Sequence, residues 1–133
     1  MGEEYLSKKF GTKIIFAKSR KLEKILDDAG AQAAFDPRTN TLVLRKGCTE
    51  YEIFHEMKHA EEMSIIGKEK YIEGMLGTPA EKLIRKFQRE RYVYNEIMRN
   101  KNMFNEAQLQ DAQRIIDKVI KDMKDSGLDI SNF

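Results

Sequence analysis

The chain's only two histidines, His55 and His59, stand four residues apart, with Glu56 directly after the first, in the order H-E-x-x-H. Residues four apart on an α-helix share a face, so both imidazoles can reach one ion, and Glu56 lies where it can take a proton from a water on that ion. This is the arrangement of zinc-assisted hydrolysis. A chance occurrence in a chain with two histidines is on the order of one in several hundred. The alternative is a surface helix carrying two unconnected histidines.

A catalytic zinc commonly takes three protein ligands, and with no third histidine the remaining one should be a carboxylate. Glu90 is the leading candidate. Leu83, Phe87, Tyr94 and Ile97 mark an apolar stripe, and Glu90 occupies the place in it where an apolar residue is due. A carboxylate in such a position asks for a partner, which a metal would supply and a neighbouring cation would supply equally well. Glu96, on a neighbouring face, is the second choice, and Glu62 suits an outer hydrogen-bonding role toward a ring. In the implied reaction zinc on His55, His59 and Glu90 lowers the pKa of its water toward about 7, Glu56 takes the proton, and the same carboxyl returns it to the leaving amine. Tyr94, one turn after Glu90, is placed to hydrogen-bond the developing oxyanion, although an ordinary core aromatic reads the same way.

The surrounding sequence supplies the elements that must hold these groups. Thr49 and Glu52 form a T-x-x-E capping box, no Gly or Pro interrupts the run, and Gly67 stands where the helix would stop. Before it, residues to Lys9 read as a charged lead-in and Lys13 to Phe16 as a short strand. A helix from Arg20 to Ala29 is capped by Ser19 and stopped by Gly30, and a hairpin joins Ala33–Phe35 to Thr41–Leu44. If Thr41–Leu44 is a sheet edge, it could pair with an extended peptide substrate. After Gly67, Lys68 to Gly77 reads as a helical turn and loop, a candidate lid. Thr78-Pro79-Ala80-Glu81 starts a helix running to about Asn100, and Asn105 starts a last helix ending near Gly127. The order predicts an α+β fold: a small antiparallel-type sheet with a hairpin, covered by helices, in one domain spanning residues 1–133.

Composition narrows the function further. The 133 residues carry a formal net charge of +2 with both signs interleaved, which gives no electrostatic argument for nucleic acid. No apolar run is long enough to span a bilayer, and the opening MGEEYLSKKF lacks the hydrophobic centre of a signal peptide. A lone Cys48 excludes an internal disulfide and a cysteine-rich zinc knuckle. Near a helix N-terminus it could be a stabilised thiolate, or simply a small buried residue. Lys58, Glu61 and Glu62 read as the solvated face of the motif helix.

The block TNTLVLRKGCTEYEIFHEMKHAEE together with the later RERYVYNEIMRNKNMFNEAQLQDA resembles the zincin-like metallopeptidase toxin domains of bacterial polymorphic toxins, over about Phe35 to Ile120. The resemblance implies a minimal zincin-like architecture, zinc on His55, His59 and Glu90, and Glu56 as base. The E-x-x-x-D pattern of large gluzincins is absent, since Tyr94 follows Glu90 at that spacing. It further implies an effector delivered into the cytoplasm of a target cell, a protein or peptide substrate and a cognate immunity protein. Two other readings remain: a free-standing cytoplasmic zinc peptidase, and a non-enzymatic helical interaction module with a structural metal.

Overall fold

The computed structural model of the chain describes residues 11–133, so the charged lead-in to Lys9 lies outside the described residues. The fold is α+β, and packing divides it into two compact units, residues 1–68 and 69–133. The first unit contains strand β1 (Lys13–Phe16), helix α1 (Arg20–Ala29), strands β2 (Ala33–Asp36) and β3 (Thr41–Leu44), and helix α2 (Glu50–Ile66). The second contains α3 (Lys68–Glu73, whose first residue belongs to the first unit), α4 (Pro79–Arg99) and α5 (Glu106–Asp125).

In the first unit the strand order is β1-β3-β2. β2 and β3 form the expected antiparallel hairpin, with Phe35 opposite Leu42. β1 pairs with β3 in parallel, Lys13 opposite Thr41 and Phe16 opposite Leu44, so the sheet is mixed rather than antiparallel throughout. β3 is thus the central strand, with all four of its residues buried, and the idea of a substrate pairing along Thr41–Leu44 fails because both of its edges are already occupied. Its continuous T-L-V-L run is what a strand covered on both faces requires. The hairpin turn is held by Asp36, whose carboxylate accepts from the Arg38 amide and the Thr39 hydroxyl, each at 3.0 Å. Asn40 closes it in the left-handed region at φ 52°, and its Oδ1 accepts from the buried Thr12 hydroxyl at 2.8 Å.

Each long helix begins where its sequence signal lies. At α2, the Thr49 hydroxyl accepts from the Glu52 amide (3.1 Å) and the Glu52 carboxylate accepts from the Thr49 amide (2.8 Å). Thr78 and Glu81 repeat the box at α4, with both bonds at 3.2 Å, and Asn105 with Gln108 repeat it at α5. α2 packs against β2 and β3, and its buried residues are Tyr51, His59, Ala60 and Met63. In the second unit α4 and α5 pack together around Phe87, Ile116, Val119 and Met123, with Leu128, Ile130 and Phe133 of the C-terminal segment against the same cluster.

Candidate metal centre

α2 is an unbroken 17-residue helix, which places His55 and His59 one turn apart on one face. Their ring centroids are 5.2 Å apart with planes inclined at 69°. His59 is buried and His55 half-buried. Glu56, between them in sequence, turns toward the sheet, where its Oε2 accepts the main-chain N–H of Phe35 on β2 at 3.1 Å. That bond fixes the carboxylate relative to the strand that runs alongside the helix.

His55 and His59 on α2 present two ring nitrogens on one helix face, and Glu90 on α4 of the second unit is a half-buried carboxylate. Two imidazoles and one carboxylate are a donor set suited to zinc, and three protein ligands leave room for a water or substrate oxygen. The donor types of these three residues are ones that a catalytic metal takes.

The remaining sequence candidates are all half-buried. The Glu96 carboxylate is 3.4 Å from the Arg99 guanidinium, in an ion pair along α4. Glu62 is half-buried on α2, just under one turn beyond His59. The Tyr94 hydroxyl donates to Gln113 Oε1 on α5 at 2.6 Å, while the ring packs beside the Phe87–Met123 cluster. Cys48 lies just ahead of the Thr49 cap, where burial and then the nearby Glu52 carboxylate push its thiol above the ordinary cysteine value. This favours the thiol over the thiolate that a helix N-terminus alone would promote.

Lys58 and Glu61 are not a solvated face. Their side chains are only 13% and 18% exposed and pair at 2.8 Å, with the Lys58 ammonium 5.1 Å from the centre of the Phe54 ring. The Phe35 amide and the Gln113 acceptor were not visible from residue types. A main-chain donor carries no residue signature, and Gln113 is recognisable only as a polar neighbour of the apolar positions Leu109, Ala112 and Ile116.

No curated protein and no solved structure matches the chain. A family model described as metallopeptidase toxin 4 matches residues 4–122, a span that takes in α2, α4 and nearly all of α5. With that match over most of its length, the chain belongs to the metallopeptidase toxin 4 family.

Proposed function

We propose that the protein is a zinc-dependent endopeptidase of effector type, in which His55, His59 and Glu90 hold the metal and Glu56 is the general base. The family is one of metallopeptidase toxins, so peptide-bond hydrolysis and a bound metal belong to the coarse reading. The finer assignment is carried by one observation: two half-buried or buried imidazoles stand one helical turn apart on α2, with a glutamate directly after the first that a purely structural metal would not require. When bound, zinc would supply a Lewis acid that polarises the scissile carbonyl and raises the acidity of water.

The chain's own groups do the rest. Glu56 accepts a proton from the attacking water and delivers it to the leaving amine nitrogen, so the carboxylate is regenerated at the end of the cycle. The Phe35 N–H bond anchors Oε2, and the proton transfer is assigned to the other oxygen. Tyr94 is retained as the oxyanion donor. In that role its hydroxyl must exchange Gln113 for the substrate during turnover.

In this reading the substrate is a protein of a target cell, the site of action is that cell's cytoplasm, and the producer carries an immunity protein. No helix among the described residues is long and apolar enough to cross a membrane, so the proposal includes no helical span. The reading is tested by incubating wild type and Glu56→Gln with a target-cell lysate and comparing new N-termini by mass spectrometry. Termini that appear only with wild type and zinc support it. Identical sets, with and without Glu56, contradict it.

A further inference from the structure

Among the described residues β1 is an edge strand, and its chemistry is unlike that of β3 beside it. The Lys13 amide donates to Asn40 and the Ala17 amide to Leu44, so alternation along a parallel ladder turns the main-chain N–H and C=O groups of Ile14 and Phe16 to the outer side. Two large apolar side chains are also exposed there, Ile15 at 36% and Phe16 at 49%. Such an edge is a template for another strand.

Among the described residues the charge following it is mostly positive. Lys13, Lys18, Arg20, Lys21 and Lys24 are all exposed, and none of them is in an ion pair among the described residues. The one acid in this stretch, Glu23, is bound to Arg45 at 3.0 Å, and Asp27 one turn on is bound to the same guanidinium at 2.6 Å. Glu23 and Asp27 are therefore turned to Arg45, whose guanidinium they hold more firmly protonated, the Asp27 hydrogen bond first, which leaves Asp28 as the one other exposed acid of α1 against these five cations.

We propose that the outer edge of β1 is a docking site for an acidic protein partner, which adds an extended segment to the sheet with carboxylates against Lys13, Lys18 and Arg20. Strand addition supplies main-chain hydrogen bonds at Ile14 and Phe16 and covers Ile15 and Phe16, while the flanking cations select the partner and orient it. A second copy of the chain fits poorly, because it would set the same lysines against themselves. An anionic lipid surface would satisfy the cations but leave the Ile14 and Phe16 peptide groups without partners. The proposal concerns binding alone and is independent of the peptidase reading.

The test uses two short fluorescent peptides, one alternating valine with glutamate and one alternating valine with lysine, and phosphatidylglycerol vesicles. Anisotropy with the full chain reads affinity, and amide hydrogen exchange by NMR reads the place. Binding of the glutamate peptide alone, with slowed exchange at Ile14 and Phe16, is the expected result. Lys13→Glu with Lys18→Glu should weaken it by about tenfold. Ile14→Pro should weaken it too, since it removes an outward N–H and spares the ladder to β3. Equal binding of both peptides, no binding of either, binding of vesicles without the glutamate peptide, or protection of the same amides by self-association would each overturn the proposal.

Discussion

Replacing Glu56 separates its chemical role from its structural one, because Phe35 binds the same carboxylate that is assigned to proton transfer. Glu56→Gln keeps an acceptor oxygen for the strand amide but cannot act as a base at neutral pH. Glu56→Ala removes both. A hydrogen bond to a charged acceptor contributes about 1.5–3 kcal/mol, and the partial exposure of this one reduces that to ~1–2 kcal/mol. Alanine's better helix propensity offsets a few tenths of a kcal/mol. For a chain of this size the loss corresponds to about 3–8 °C in melting temperature. Both variants should lose activity by ~10²–10⁴-fold, as expected for a missing general base. Calorimetry in the presence of a chelator, which removes metal binding from the comparison, should show Glu56→Gln melting near wild type and Glu56→Ala below it. Equal melting of the two variants would refute the anchoring role of Phe35, and full turnover by Glu56→Gln would refute the general base.

Tyr94→Phe should lower kcat with little change in KM if the hydroxyl meets the oxyanion, and should only lower stability by about 1 kcal/mol if its work is the bond to Gln113; parallel kinetics and melting curves separate the two. Thr78→Ala removes the α4 cap and should cost about 1 kcal/mol, measured by urea unfolding. The Glu81 carboxylate is held below its usual range by the Thr78 amide, then by the Thr78 hydroxyl. Its contribution to stability is therefore present above the unfolded-state value and is lost as pH falls through the folded one, a dependence that Glu81→Gln should remove from an acid titration of stability. Met123→Ala, at a fully buried position in the α4–α5 core, should cost ~2–5 kcal/mol in the same unfolding assay.

The parts of the fold legible in the sequence were those set by local chemistry. The T-x-x-E boxes at Thr49 and Thr78 and the asparagine at 105 fix where α2, α4 and α5 start, because each satisfies amides within its own first turn. The hairpin was legible from its turn residues for the same reason. The parallel pairing of β1 with β3 was not, since it joins strands separated by α1 and β2 and depends on packing rather than on any nearby residue. Lys58 and Glu61 misled because residue type says polar, whereas a paired ammonium and carboxylate can be largely covered when they neutralise each other and the lysine stem lies along an aromatic ring. For the candidate centre, the histidine spacing and the intrusion of Glu90 into an apolar stripe were both readable. The hydrogen bonds that position Glu56 and occupy Tyr94 come from partners distant in sequence, Phe35 and Gln113, and needed the fold.

The central claim is that His55, His59 and Glu90 form one metal centre. Metal content by mass spectrometry, on purified wild type beside His59→Ala and Glu90→Ala, tests it most directly. One zinc per chain is expected in the wild type, with a loss or marked weakening in both variants. Zinc held equally by Glu90→Ala would remove that residue from the centre, and no zinc in any sample after its addition would contradict the centre itself.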